Sequence, residues 1–125
     1  MQVFDKNRKE NEIYKGDIYL CDLGISKDFK SSVQEGIRPV VVLQNNDHNK
    51  TGTTTIIAPV TSRKKKKLHS HVHINKGEGG VMVDSTILLE QLRIIDNYRL
   101  IKYLGSLDDD VLYKVEDALF AVLDL

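Results

Sequence analysis

The stretch 35–45, EGIRPVVVLQN, decides how the chain folds. Its centre, Val40 to Leu43, is an apolar, mostly β-branched run bounded by Gly36 and Pro39 on one side and by the amides Gln44 and Asn45 on the other. That pattern reads as a buried strand. Proline fits only its first position. The residue before a proline is held extended, so Arg38 is expected at the rim of the sheet with its side chain free to reach outward. A planar fork of donors in that place suits the holding of a phosphate.

Working outward, the polar residues 1–14 show no apolar periodicity and are expected to form a flexible arm, with residues 15–125 as a single domain. Ile18 and Leu20 alternate with Tyr19 and Cys21 in a first strand. Residues 24–36 then form a long stretch without periodicity that leads into Arg38. Loops of about a dozen residues inside compact domains tend to cover functional sites or to be disordered. After the central strand come a short polar turn or helix, NDHNKTG, and a third strand, TTTIIAPVTS. HVHIN and VDSTILLEQLRIID add at least two more strands.

The tail changes period. Val111, Leu112, Val115, Ala118, Leu119, Val122 and Leu123 recur at helical spacing, behind a natural N-cap at Asp108 and acidic residues at the positive end of the helix. Leu107 and Leu112 are placed to form a hydrophobic staple. Short strands without room for crossover helices, closed by one helix, imply a mainly β fold with a C-terminal α-helix, bent into a small barrel.

Composition limits the function. Eighteen basic and 18 acidic residues give zero net charge, so a nucleic-acid surface has to come from local clustering; Lys64–Lys67 is such a cluster, though most simply a solvated loop. The single cysteine, Cys21, forms no internal disulfide, and a lone cysteine in a strand is usually buried and inert. No signal peptide or membrane span is evident, so a cytoplasmic location without membrane contact is expected. His69, His71 and His73 alternate and would share one face of a strand. They have the donor chemistry for zinc or copper but no obvious fourth ligand, and no metal site is assigned.

Taken in order, GDIYLCDL, a polar loop, GIRPVVVLQN, APVTS, HVHI, DSTILLEQLRIID and LDDDVLYKVEDAL resemble the MazF/PemK family of toxin endoribonucleases, from Gly16 to Leu125. The most specific pieces are G-x-R-P before a strand ending in Gln-Asn, and the Leu-Leu-Glu-Gln-Leu-Arg segment. The resemblance implies an SH3-like β-barrel, a homodimer, cleavage of single-stranded messenger RNA at a short sequence without metal or other cofactor, and neutralisation by a cognate MazE-like antitoxin. It places the catalytic arginine on Arg38 and the catalytic hydroxyl on Thr61. Asn45, Leu68, Ser70, His71, Glu90 and Gln91 are the RNA contacts it implies. One departure stands out: SSVQEGIRP keeps Gln34, Glu35 and Gly36 but has fewer glycines, and in a different order, than many members carry before the arginine.

In metal-free RNA cleavage the 2′-hydroxyl attacks the adjacent phosphorus, and the extra charge on the phosphorane must be stabilised. An arginine meets that need, and a hydroxyl at a strand end can donate to a phosphate oxygen. The general base is left unassigned. Two other readings exist: a non-catalytic gyrase poison of the same fold, like the CcdB branch, and an inactive RNA- or protein-binding module. The first needs neither Arg38 nor Thr61.

Overall fold

The computed structural model describes residues 12–28, 30–63 and 68–125. The sheet comprises β1 (Asp17–Asp22), β2 (Ile37–Val42), β3 (Thr54–Thr61), β4 (His71–Ile74), β5 (Ser85–Leu88), β6 (Arg93–Asp96) and β7 (Leu100–Ser106), with helices α1 (Asn46–Thr51) and α2 (Asp109–Leu123). All pairings are antiparallel, in the order β4-β5-β3-β2-β1-β7. β3 divides one edge between two partners. Thr54–Ile57 pair with β6, while Val60 and Thr61 pair with β5. The expected architecture, mainly β with a C-terminal helix, is the one observed.

Residues directly opposite in an antiparallel pair share a face, and neighbours along a strand take opposite faces. The two core clusters follow that parity. Ile18, Val41, Ala58, Val60, Val72 and Ile87 pack with Val111, Val115 and Ala118 of α2. Cys21, Val40, Val42, Ile57 and Ile95 form a second cluster on the other face, with Leu23. The helix therefore covers one side of the sheet and leaves the other to loops. α2 starts as the sequence predicts: the Asp108 carboxylate accepts from the Val111 N–H at 3.0 Å, and Leu107 and Leu112 both join the helix-side cluster.

Four features differ from the expectation. β7 was not foreseen, because Leu100–Ser106 buries only Gly105 and lacks alternation; its pairing with β1 holds it. VDSTILLEQLRIID is not one strand: Glu90 and Gln91 sit in a 3-10 turn, Leu89–Gln91, that joins β5 to β6. That corner moves the chain along the β3 edge. His69 lies in a turn ahead of β4, so only His71 and His73 alternate in the strand. In β1 the expected alternation breaks: pairing with β7 is irregular after Ile18 and after Leu20, and Leu20 is half-buried while Cys21 is buried as expected. Of the expected arm, residues 1–11 lie outside the described residues; Ile13 packs on the second cluster and the Tyr14 N–H donates to Asp17 Oδ2 at 2.9 Å.

The two amides that end the central run both serve the turn after it. Asn45 caps α1, its Oδ1 accepting from the His48 N–H at 2.9 Å. Gln44 joins a buried network centred on Asn49, whose Oδ1 accepts from Gln44 Nε2 at 2.9 Å and Thr55 Oγ1 at 2.8 Å, and whose Nδ2 donates to the Gln44 carbonyl at 3.0 Å. Thr55 is fully buried. Asn49→Ala leaves that hydroxyl and carbonyl unpaired, and we expect a loss of about 2–3 kcal/mol in urea unfolding. A change below about 0.5 kcal/mol would show that the network is not structural.

Candidate functional site

The loop 24–36 is closed at its neck: the Leu23 N–H donates to the Gly36 carbonyl at 2.9 Å and the Gly36 N–H to the Gly24 carbonyl at 2.7 Å. Gly36, at φ +79, takes a left-handed turn that a side chain would strain. The chain leaves this turn directly into Arg38, half-buried and opposite Cys21 of β1. Its Nε donates to the Glu35 carbonyl at 2.8 Å. The two terminal nitrogens make no hydrogen bond among the described residues, so a fork of donors is left for a ligand.

The register then brings in the hydroxyl. β2 and β3 pair as Val40 with Pro59, Val41 with Ala58 and Val42 with Ile57. Carrying that register two residues further sets Arg38 opposite Thr61, on the face away from α2. Thr61 in turn pairs with Thr86 of β5, and Thr86 with His73 of β4. One row across four strands thus holds an arginine, two hydroxyls and an imidazole. Thr61 is 1% exposed, and its Oγ1 accepts from the Arg63 N–H at 3.2 Å, which leaves the hydroxyl proton to be donated.

Next to this row, on the same face, lies a second group. His71 Nε2 is 2.9 Å from Glu90 Oε2. A carboxylate only accepts, so Nε2 carries the proton and Nδ1, buried without a partner, is left with its lone pair in the neutral ring. Ser70 accepts the Leu89 N–H on its carbonyl at 3.0 Å, and Leu68, which is exposed, accepts the His71 N–H on its own. Gln91 reaches the long loop: its Oε1 accepts from the Gln34 N–H at 2.8 Å and its Nε2 donates to the Ser32 carbonyl at 3.2 Å. A recess of about 230 Å³ lies between this loop and Arg93, which itself donates to the Leu23 carbonyl.

The structure thus gathers Ser70, His71, Glu90 and Gln91 around one corner, and Arg38 and Thr61 in one row. It sets Asn45 apart, at the opposite end of β2 from Arg38, with its amide in use as a cap. Lys64–Lys67 lie outside the described residues. Among the described residues no set of three His, Cys, Asp or Glu side chains is placed to hold a metal ion, and no helix is long and apolar enough to cross a membrane. Burial raises the Cys21 thiol to about 11, against the opposing pull of Arg93, so it stays protonated near neutral pH and is no nucleophile. Sequence reasoning assigned no role to Gln34, Glu35, Thr86 or Arg93. Only the first two carried a signal, as polar residues crowded before the G-x-R-P turn.

Comparison with known proteins gives the family and the fold. The family described as PemK-like, MazF-like toxin of type II toxin–antitoxin system matches residues 14–123. Endoribonuclease EndoA of Bacillus subtilis is 42% identical over 108 residues, which span 86% of this chain and 90% of that protein. The crystal structure of MazF from Deinococcus radiodurans shares the fold with a TM-score of 0.77 at 24% identity, over 93% of this chain and 100% of that one. A mycobacterial endoribonuclease solved in complex with its cognate antitoxin superposes with a TM-score of 0.75 at 19% identity, over 90% of this chain and 96% of that one.

Proposed function

Because the chain belongs to the PemK-like, MazF-like family of type II toxins, we propose that this endoribonuclease cuts single-stranded messenger RNA at a short sequence, without a metal ion, and is held inactive by an antitoxin. The observation that carries this reading is the β2–β3 register, which, carried two residues past Val40 and Pro59, sets an arginine with two uncommitted donor nitrogens opposite a strand-end hydroxyl.

In the proposed reaction the 2′-oxygen bonds to phosphorus and loses its proton, while the bond from phosphorus to the 5′-oxygen breaks and that oxygen gains one. The products are a 2′,3′-cyclic phosphate and a 5′-hydroxyl end. Arg38 lays its two terminal nitrogens on the non-bridging oxygens, where negative charge builds. The Thr61 hydroxyl donates to the same phosphate. Its burial sets a condition, that RNA binding uncovers it. Arg38 is not assigned the proton transfers, because a guanidinium holds its proton far above neutral pH.

Leu68, Ser70, His71 and Glu90 sit beside that row and supply apolar contact, stacking and hydrogen bonds suited to unpaired bases. Asn45 would meet RNA only where the strand runs to the far end of β2. The antitoxin is proposed to be a disordered acidic segment that folds across this face. A homodimer is proposed from Ile94, Tyr98 and Ile101, which are exposed on and beside β6 and β7. A dimeric mass by light scattering is its test, and a stable monomer at micromolar concentration would remove it.

The test of the reading as a whole is cleavage of a long RNA in the presence of EDTA, with product ends identified. Cuts at one recurring short sequence, leaving cyclic phosphate and 5′-hydroxyl termini, are expected. Cutting that EDTA abolishes would refute the metal-free reaction, and absence of cutting by the folded, antitoxin-free protein would refute the enzyme reading.

A further inference from the structure

We infer that Gln91 is a positioning residue for Arg38, acting through the loop 24–36. The inference rests on the proposed role of Arg38, and it differs from the base contact that the family resemblance implies for Gln91.

The contacts run without a break. The Gln91 carboxamide takes the Gln34 N–H at 2.8 Å and gives its own to the Ser32 carbonyl at 3.2 Å, so it grips one limb of the loop at two points. Gln34 is 8% exposed, which fixes that limb against the body. The next residue, Glu35, presents the carbonyl that accepts Arg38 Nε at 2.8 Å. The Glu35 carboxylate also accepts the Ser26 N–H at 2.6 Å, tying the opposite limb to the same place. A 3-10 turn between β5 and β6 therefore sets where a carbonyl stands at the start of β2.

That carbonyl matters because an arginine side chain has several rotatable bonds, and only its Nε is held here. Fixing Nε aims the two terminal nitrogens, and misplacing a catalytic group by about 1 Å can cost about a hundredfold in rate. Both polar ends of Gln91 are committed to the loop, which leaves it poorly placed to read a base as well.

The test uses Gln91→Leu, which removes both contacts, and Gln91→Glu, which keeps the acceptor for the Gln34 N–H but loses the donor to Ser32. Gln91→Leu is expected to lower the single-turnover cleavage rate by about ten- to a hundredfold. Its affinity for an RNA with a 2′-deoxy residue at the cut site stays within about threefold of wild type, and Gln91→Glu recovers part of the rate. A second readout needs no activity: by NMR, the Arg38 Nε–H exchanges faster with water in Gln91→Leu than in wild type. If Gln91→Leu does not fold, Gln91→Glu carries both measurements, with an intermediate loss expected.

Weakened RNA affinity or altered base preference, with the cleavage rate and the Arg38 Nε–H exchange unchanged, would overturn the inference in favour of a base contact. Unchanged exchange alone would overturn it too. Were wild type unable to cut RNA, the proposed function would fail while the exchange measurement still decided whether Gln91 holds Arg38.

Discussion

Replacing Arg38 by alanine is expected to lower the single-turnover rate of RNA cleavage by about a thousandfold, with little change in stability. The stability half of this expectation follows from its surroundings. Arg38 is half-buried at the rim, and one hydrogen bond, from Nε to the Glu35 carbonyl, is its tie to the fold. The rate half follows from the two terminal nitrogens. They face no protein acceptor among the described residues, and in the proposed reaction they meet the negative charge that grows on the phosphorane. Arg38→Lys should recover little, because an ammonium cannot span two oxygens and cannot keep the Glu35 bond while reaching a phosphate. A loss smaller than about tenfold in folded Arg38→Ala would remove the arginine from the chemistry.

Thr61→Val is expected to lower the same rate by about a hundredfold, the cost of one well-placed donor. Valine suits this position, a 1% exposed residue at the end of a β-strand. The change gives up the acceptor for the Arg63 N–H, an exposed residue whose amide can turn to water. Stability should therefore stay within about 1 kcal/mol of wild type. Thr61→Ser restores the hydroxyl and should return the rate to within about tenfold of wild type. If Thr61→Val and Thr61→Ser cut equally well, the hydroxyl takes no part.

Much of this account was readable before the structure, for local reasons. β2 declares itself through Gly36, Pro39 and three consecutive valines, and α2 through its period and its Asp108 cap. β7 stayed hidden because only one of its residues is buried and its pairing with β1 is a long-range fact. The corner at Leu89–Gln91 was masked by an apolar run, Ile87 to Leu89, that continues unbroken through the end of β5. Asn45 carried an overlooked signal, since an asparagine just ahead of a short polar helix is a good N-cap.

The site divides in the same way. Motifs named Arg38 and Thr61, but that they face each other depends on the pairing of two strands. The parity that puts them, with His71 and His73, on the side away from α2 is likewise a property of the assembled sheet. The hold of Gln91 on the loop joins residues 57 apart, so no local pattern announces it.

The central claim is that Arg38 and Thr61 act on one phosphate as a unit, and a double-mutant cycle in single-turnover cleavage tests it most directly. If they do, Arg38→Ala combined with Thr61→Val will be scarcely slower than Arg38→Ala alone, because a hydroxyl at a site already disabled has little left to lose. Full additivity, with the double variant slower by the product of the two single losses, would contradict it and assign the two residues to separate tasks.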